Sequence, residues 1–358
     1  MSDWPDHRIL DLFGIEFPIL LAPMAGFGTP ALAAAVAEAG GLGALASATI
    51  TPEQARADIA AYRTATTKPL NLNFFCHKSP EPDPARDDAW RARLAPYYRE
   101  FGLDPAMPLA ASSREPFNDA FCAVVEELRP EIVSFHFGLP ERRLLDRVRT
   151  TGARVISSAT TVAEARFLEA EGCDAIIAQG AEAGGHRGMF LTTDVAGQVG
   201  TFALVPQVVD AVRVPVIAAG GIADARGVVA ALALGASAVQ IGTAFLLAPE
   251  ARVTPPHRRA LNQAEADHTA ITNVFTGRPA RGVVNRLMRE VGPLSQQAPA
   301  FPLAGGAVAP LRAATESEGS GDFMPLWSGQ AARLARPMPA GDLVRTLAAG
   351  ALARLGRG

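Results

Sequence analysis

The feature that most constrains the fold is an alternation of short apolar runs with longer Ala/Leu-rich segments typical of amphipathic helices. Eight runs can be counted, and most are followed by a glycine or polar turn. Continuous apolar strands that alternate with helices are typical of a parallel sheet buried on both faces. Eight units within roughly 230 residues predict an α/β fold that closes into a (β/α)8 TIM barrel. The runs are PILLAP from Pro18, GALAS from Gly43, LNLNFF from Leu70, IVSFHF from Ile132, RVISSA from Arg154, AIIAQG from Ala175, PVIAAGG from Pro215 and AVQIGT from Ala238.

An open, doubly wound sheet is the alternative fold. The first strand is followed by APMAGFGTP, which lacks the GxGxxG spacing of a dinucleotide-binding fold. Helix signals agree with the barrel count, because Thr29-Pro30 and Thr161 each introduce an Ala-rich segment with a capping residue. These signals favour the barrel.

The segment from Val228 to Ala248 contains 21 residues without a charge, which is long enough to span a membrane. Gly235 and Gly242 interrupt it, and Gln240 lies in its second half. We therefore interpret it as a buried helix, a turn and a strand.

The barrel pattern is predicted to cover residues 1–248. It is expected to be followed by a lid or cap excursion at residues 249–311 and by residues 312–358, which return to the barrel as a closing helix pair. Between the third and fourth strands, the stretch HKSPEPDPARDDAWRARL predicts an inserted loop and an extra helix.

Composition narrows the class of partner. The formal net charge is −3, with 49% hydrophobic and 19% charged residues, so the chain has a large core and no basic surface for nucleic acid or an anionic membrane. The three cysteines form no metal or disulfide spacing, and the N-terminus does not resemble a signal peptide. We expect a cytoplasmic protein with small-molecule partners.

Function in a barrel collects at the C-terminal ends of the strands. Two glycine-rich exits follow the seventh and eighth strands, where backbone N–H groups and a helix N-terminus can hold a phosphate. Glycines that only shape the turns are the alternative. No GxxxxGK[ST] motif is present, so this is not a nucleotide P-loop. The residues are Gly220, Gly221, Gln240, Ile241, Gly242 and Thr243.

Other strand ends carry neutral groups that suit a flat heteroaromatic ligand. The amides of Asn73 and Gln179 both donate and accept hydrogen bonds, as the edge of a flavin requires. Amides that only satisfy loop backbone are the alternative, and Asn71 is an example. The set predicts an FMN site rather than a sugar-phosphate site, which would need more charged groups. The APM turn places Ala22, Pro23 and Met24 against the ligand face, and Gly184 and Gly185 let the backbone approach it.

Two histidines follow strands at this same mouth, His136 in SFHFG and His186 in GGHRG. Imidazole titrates near neutral pH, so we expect at least one of them to transfer a proton or bind an anionic substrate. Glu182 is either a base or a residue that holds the loop. No metal-ligand spacing or GxSxG motif is found. The other histidines, expected at the surface, are His7, His77, His257 and His268.

Seven motifs resemble those of the nitronate monooxygenase family, formerly called 2-nitropropane dioxygenases, across about residues 14–335. They are PILLAPMAG, NLNFF, AQGAEAGGHRG, PVIAAGGIAD, QIGTAFL, FTGRPARG and PLWSGQAA. The resemblance implies an FMN-dependent barrel that oxidises alkyl nitronates, such as propionate 3-nitronate, or nitroalkanes with O2 to a carbonyl compound and nitrite, without a metal. It implies flavin contacts at Asn73, Gln179, Gly184, Gly221 and residues 240–243. His186 would be the catalytic base and His136 a second active-site histidine.

The sequence departs from the bacterial branch of that family before WSGQ, where a tyrosine and a lysine are often found. Phe301 and Arg312 are the nearest candidates, and neither is an identical replacement. The particular nitronate therefore stays open, as does the choice between monomer and homodimer. The alternatives are an FMN-dependent NAD(P)H:quinone or enoyl-thioester reductase, and a flavin-binding regulator without catalysis.

Overall fold

The computed structural model describes residues 4–109, 114–262 and 268–357. All eight predicted strands are present as one parallel sheet, and their order around the sheet is β1-β9-β8-β6-β5-β4-β3-β2. The strands are β1 (Ile19–Leu21), β2 (Gly43–Ala46), β3 (Leu70–Phe75), β4 (Ile132–His136), β5 (Arg154–Ala159), β6 (Ala175–Gln179), β8 (Val216–Ala219) and β9 (Ala238–Ile241). The prediction of a (β/α)8 barrel is confirmed.

The barrel closes between its first and second strands. Leu20 and Leu42 form a parallel bridge, with Leu42 donating from its backbone N–H to the Ile19 carbonyl oxygen at 3.0 Å. At the other edge, β1 pairs in parallel with β9. Closure leaves no open edge strand, so function is confined to the two ends of the barrel.

Helices cover the outside of the barrel and begin where the capping residues predict. Thr29 accepts a hydrogen bond from the Leu32 N–H at 3.0 Å, and Thr161 accepts from the Glu164 N–H at 3.2 Å. The helices that precede or cover the strands are α1 (Arg8–Phe13), α2 (Pro30–Glu38), α3 (Pro52–Ala65), α4 (Pro84–Glu100), α5 (Asp119–Leu128), α6 (Arg142–Thr150), α7 (Val162–Ala170), α8 (Thr201–Ala211) and α9 (Ala225–Ala233).

A second, smaller hydrophobic cluster joins the insertion after β3 to the segment after β9. Trp90 and Tyr98 of α4 donate hydrogen bonds to the carbonyl oxygens of Ala304 and Ala307, at 3.1 and 2.7 Å. The predicted extra helix is therefore α4, and it packs on the excursion. The excursion contains β10 (Thr269–Thr272), β11 (Ala280–Val283), α10 (Pro255–Asn262) and α11 (Arg286–Val291), and α12 (Ala304–Ser317) crosses its predicted end at residue 311.

The C-terminal segment returns to the barrel as one long helix, α13 (Ala340–Arg354), which packs between α2 and α9. The predicted closing pair is wrong, because Pro337 and Pro339 precede α13 and leave only a short 3-10 helix, Ala332–Leu334, before it. The apolar stretch 228–248 contains the end of α9, a turn and β9, as predicted, and also a 3-10 helix, Thr243–Leu247, that was not predicted. Among the described residues, no helix is both long and apolar enough to cross a membrane.

Candidate active site

One cavity lies at the C-terminal ends of the barrel strands, with about 1290 Å³ of empty space including open solvent at its mouth. Twelve of the thirteen residues proposed from the sequence to bind a cofactor line it, together with both predicted catalytic histidines. Ile241 is the exception, since it is 1% exposed and packs in the barrel core. The lining residues from that set are Ala22, Pro23, Met24, Asn73, Gln179, Gly184, Gly185, Gly220, Gly221, Gln240, Gly242, Thr243, His136 and His186.

A short strand that the sequence did not predict carries His186. This strand, β7 (Gly185–His186), pairs antiparallel with β11, with Ala280 opposite His186. Gly185 has φ +72°, a left-handed conformation that glycine adopts without strain. The histidine is thus fixed by backbone pairing to the excursion rather than by its own loop.

Gly184 lines the cavity and also makes room for a distant segment of the chain. A Cβ there would lie 2.5 Å from the backbone N of Gly329, so the glycine makes room for the Ser328–Gly329 segment. That segment is part of the WSGQ motif, and Gly329 N–H donates to Thr243 Oγ1 at 2.9 Å. The WSGQ motif therefore packs against the glycine turn at Gly184 and against the segment that follows β9.

Aromatic rings surround His186. The ring centroids of Phe301, Trp327, Phe75 and Phe137 lie 5.3, 5.5, 5.8 and 5.9 Å from its centroid. The pKa of His186 lies well below the ordinary value of 6.5. The larger cause is burial of the imidazole away from water, and the positive charge of nearby Arg114 adds to it. His186 is therefore neutral at physiological pH.

The hydroxyl of Thr276 selects which nitrogen of His186 is basic. His186 Nε2 lies 3.0 Å from Thr276 Oγ1, and that hydroxyl donates to the Arg278 carbonyl oxygen at 3.4 Å. When this hydroxyl donates to the Arg278 carbonyl oxygen, it accepts from His186, and in that arrangement Nε2 carries the proton. Nδ1 is left with the lone pair that can take a proton.

Both ring nitrogens of His136 are engaged by protein groups. Nε2 lies 3.1 Å from the His186 carbonyl oxygen, which can only accept, so Nε2 is the donor. Nδ1 then accepts from Ser158 Oγ at 3.1 Å. Burial lowers the pKa of His136 to about 3. His136 is therefore neutral, and its Nε2–H is hydrogen-bonded to the backbone of His186.

Gln179 holds the same loop from the other side. Its Nε2 donates to the His186 carbonyl oxygen at 3.0 Å, and its Oε1 accepts from the Gly188 N–H at 2.7 Å. Arg187, fully buried, donates to the carbonyl oxygens of Gln179 and Gly180 at 2.7 and 2.6 Å. This role of Arg187 was not predicted, because an arginine satisfied by carbonyl groups leaves no pattern in the sequence.

Two further amides differ in how they are satisfied. Asn73 Nδ2 donates to Ser134 Oγ at 2.9 Å and to the Ser134 carbonyl at 3.3 Å, which leaves its Oδ1 for a ligand. Gln240 Oε1 is buried at the cavity wall without a hydrogen-bond partner among the described residues. Such orphaned acceptors are rare in folded proteins and point to a bound donor.

The glycine-rich exits offer one uncapped helix terminus. Asp224 caps α9 by accepting from the backbone N–H groups of Arg226 and Gly227. Glu182 accepts from the Thr201 N–H at 2.8 Å and thereby occupies the start of α8, so this residue holds the loop. By contrast, the 3-10 helix Thr243–Leu247 begins at Gly242 without a side-chain cap, and its free N–H groups suit an anion.

Two of the four histidines expected at the surface are buried. His257 is 0% exposed, because its Nε2 donates to the Trp327 carbonyl oxygen at 2.9 Å and its ring packs on Phe27. His77 is 6% exposed and packs edge-on against Phe301. The surface prediction was wrong for both, since it relied on polar neighbours in sequence and the contacts come from distant segments. His268 is exposed, and His7 is half-buried.

Arg114 is the cation of the cavity wall, and the sequence analysis did not single it out. It is half-buried, and its charge acts on both His186 and His77. Phe301 and Arg312 are the nearest candidates for the tyrosine and lysine of the bacterial branch, and they lie in different places. Phe301 packs on His186, whereas Arg312 forms an ion pair with Glu316 on α12 at 3.2 Å. No aspartate or glutamate lies among the described residues that line the cavity.

Known proteins resemble this chain along almost its whole length. The family model described as nitronate monooxygenase matches residues 6–350. A nitronate monooxygenase of Pseudomonas aeruginosa is 45% identical over 95% of this chain and 97% of its own length. A nitronate monooxygenase of Paraburkholderia phytofirmans is 44% identical over 97% of this chain and 96% of its own length. The solved nitroalkane oxidase of Streptomyces ansochromogenes is 41% identical with a TM-score of 0.89, covering 98% of this chain and 100% of that one.

Proposed function

The chain belongs to the nitronate monooxygenase family of oxidoreductase enzymes, and from this premise we propose that it binds FMN and oxidises alkyl nitronates. In the proposed reaction, a nitronate and O2 give a carbonyl compound and nitrite. The observation that carries the proposal is a neutral histidine, His186, enclosed by aromatic rings at the mouth of a cavity whose described lining residues include no carboxylate.

The cavity fits FMN in three respects. The uncapped N–H groups at Gly242 and Thr243 can receive a phosphate, as helix termini at barrel exits often do. Gln240 Oε1 and Asn73 Oδ1 can accept from the ring N–H group or the ribityl hydroxyl groups of the cofactor. Within the described part of the chain, no acidic side chain that would repel the phosphate lines the cavity. The flavin supplies the redox chemistry with oxygen when it is bound.

His186 is proposed to act on neutral nitroalkanes as the general base. Its Nδ1 takes the proton from the carbon next to the nitro group, and Nε2–H stays hydrogen-bonded to Thr276. Because its pKa is lowered, the imidazole is available as a base across the neutral range. A preformed nitronate has already lost that proton and does not need this step.

The remaining groups position the base and the substrate. His136 and Gln179 both donate to the His186 carbonyl oxygen, which fixes the backbone from which the base projects. The rings of Phe75, Phe301 and Trp327 exclude water from the imidazole. Arg114 adds a positive charge that attracts an anionic nitronate.

The test is to purify the protein, record its absorbance spectrum and measure nitrite release in air. We expect a yellow protein that releases nitrite from ethyl nitronate, 2-nitropropane or propionate 3-nitronate. A protein that stays colourless after incubation with excess FMN would overturn the proposal that FMN is the cofactor. Bound FMN without nitrite release or oxygen uptake with any nitronate would favour the alternative of a flavin-binding regulator without catalysis.

A reductase on the same barrel is the second candidate. The solved FabK of Thermotoga maritima is 30% identical with a TM-score of 0.75, covering 98% of this chain and 97% of that one. Anaerobic mixing with NADH or NADPH distinguishes the two functions. Rapid bleaching of the flavin would favour the reductase, and a flavin that stays oxidised favours the monooxygenase.

A further inference from the structure

A second cavity lies beside the first and shares no lining residue with it. We call it the outer cavity. It encloses about 1820 Å³ of empty space including open solvent. It is formed where the loop after β3 and the start of α4 meet the segments 189–195 and 273–301. The lining residues that matter here are His77, Lys78, Arg86, Arg278, Leu294 and Phe301.

An aromatic wall separates the two cavities. The Phe301 ring lies 4.7 Å from the ring of His77 on the outer side and 5.3 Å from that of His186 on the inner side. The outer cavity is therefore a separate compartment next to the proposed base.

The outer cavity is cationic. Lys78, Arg86 and Arg278 line it, and no aspartate or glutamate lies among its described lining residues. The nearby acids have other partners, since Asp83 caps α4 at the Arg86 N–H and Asp194 accepts from the Ala196 N–H. Glu164 is the acid whose charge acts on Arg278; it is buried outside the lining and accepts from the N–H groups of Thr160 and Phe190. Three positive charges in a concave surface with one buried counter-charge behind it attract anions.

Three nitrogens of its lining are buried without a hydrogen-bond partner among the described residues: His77 Nδ1, Arg86 Nε and Arg278 Nε. His77 is 6% exposed, so its unpaired nitrogen is not explained by solvent. Arg278 is held rigidly, because its guanidinium lies 3.8 Å from the centre of the Phe137 ring and donates to the Met189 carbonyl oxygen. Buried polar groups in folded proteins normally have hydrogen-bond partners, so these three nitrogens indicate a bound ligand that supplies them.

Apart from its cations, the lining combines neutral polar side chains with an apolar part. Met189, Phe190 and Leu294 line the cavity, and Leu294 is 51% exposed. An exposed apolar side chain beside fixed cations suits a ligand that has both an anionic group and an apolar body.

We propose that the outer cavity is a binding site for a carboxylate or phosphate that carries an apolar chain. Arg86, Arg278 and Lys78 bind the oxyanion, and Leu294 with its apolar neighbours contacts the chain. The site is independent of FMN and of nitronate oxidation, so it stands or falls separately from the proposed function.

Binding at this site also acts on His77. Burial lowers the pKa of His77 to about 4, so its imidazole is neutral when the cavity holds no anion. A bound anion favours the charged form and raises this pKa. The imidazole resonance of His77 in an NMR pH titration therefore reports occupancy without any measurement of activity.

The test is calorimetric titration of the FMN-loaded protein with octanoate, octyl phosphate and neutral octanamide. Arg86→Gln is compared with Arg99→Gln, which removes the same charge from an exposed position on the same helix, outside the cavity. We expect Arg86→Gln to weaken binding of the preferred oxyanion about tenfold, as the loss of a charge-assisted contact would, and Arg99→Gln to leave it unchanged. Lys78→Gln is a second variant on a loop, in case Arg86→Gln impairs folding.

The stronger of the two anionic probes identifies carboxylate or phosphate as the preferred group. Equal affinity of the wild type and both cavity variants would overturn the proposal, because the anion would then bind elsewhere. Octanamide binding as tightly as octanoate, or absence of binding by either anion at millimolar concentration, would overturn it as well. Flavin absorbance and nitrite release in the same variants test the proposed function separately.

Discussion

His136 donates a hydrogen bond from Nε2 to the backbone carbonyl oxygen of His186 at 3.1 Å. The two histidines predicted from the sequence thus meet through a backbone group and not through their side chains. Gln179 donates to the same carbonyl at 3.0 Å. One histidine therefore fixes the position of the other, and only His186 keeps a nitrogen free to act as a base.

The first prediction concerns His186→Asn. We expect turnover of a neutral nitroalkane to fall by roughly 100-fold or more, since general base catalysis is lost. Turnover of a preformed nitronate should change much less, because its proton has already been removed. Oxygen uptake with nitroethane and with ethyl nitronate measures the two rates. An equal loss with both substrates would contradict the base role and indicate a defect in binding.

The second prediction concerns Thr276→Val, which removes the acceptor for His186 Nε2–H and keeps the volume of the side chain. The imidazole can then carry its proton on Nδ1, where it cannot act as a base. We expect kcat for a nitroalkane to fall about tenfold, with flavin affinity and nitronate turnover unchanged. Thr276→Ser keeps the hydroxyl group and should restore the rate. If the valine and serine variants behave alike, Thr276 has no part in selecting the tautomer.

The third prediction concerns Arg114→Met, which removes the cation from the cavity wall. We expect KM for propionate 3-nitronate to rise about tenfold and KM for the singly charged ethyl nitronate to rise less, because the first carries two anionic groups. Arg114→Lys keeps the positive charge, so at low salt its KM for propionate 3-nitronate should lie between those of the wild type and Arg114→Met.

The same variant tests the charge coupling. Arg114 lowers the pKa of His186, so its removal should raise that pKa and move the acid limb of the nitroalkane rate profile to higher pH. Equal KM changes for both nitronates, with an unmoved pH profile, would mean that Arg114 acts only through packing.

Much of this architecture follows from local sequence signals. The apolar runs of β3 and β6 are buried on both faces, and the threonine caps at Thr29 and Thr161 depend on neighbouring residues alone. The lining positions also follow from the strands, because a barrel brings every strand end to one mouth. For this reason the sequence alone predicts that Asn73 and Gly220 lie at the cavity, where the structure has them.

The remaining features depend on contacts between distant segments. β7 exists only because β11 pairs with it, and a two-residue strand leaves no periodic pattern. Gly184 faces the Ser328–Gly329 backbone, so the reason for that glycine lies far along the chain. His257 is surrounded by polar residues in sequence and yet lies against Phe27 and the Trp327 carbonyl group.

The last prediction concerns stability in acid. Burial lowers the pKa of His257 from 6.5 to about 4 in the folded protein. As the pH falls, His257 is therefore protonated first in the unfolded chain. The contribution of this residue is complete above pH 6.5 and is lost progressively between pH 6.5 and about 4. The loss by pH 4.5 is about 2 to 3 kcal/mol of unfolding free energy.

His257→Gln removes the titration while its amide can still donate to the Trp327 carbonyl oxygen. We expect the variant to be somewhat less stable than the wild type at pH 7.5, because packing against Phe27 is lost. The decrease in unfolding free energy from pH 7.5 to 4.5, measured by urea denaturation, should however be smaller by about 2 to 3 kcal/mol. His268→Gln, at an exposed position, is the matched control. The same decrease in the His257 variant as in the wild type would show that the acid sensitivity arises elsewhere, among His77, His136 and His186, whose pKa values burial also lowers.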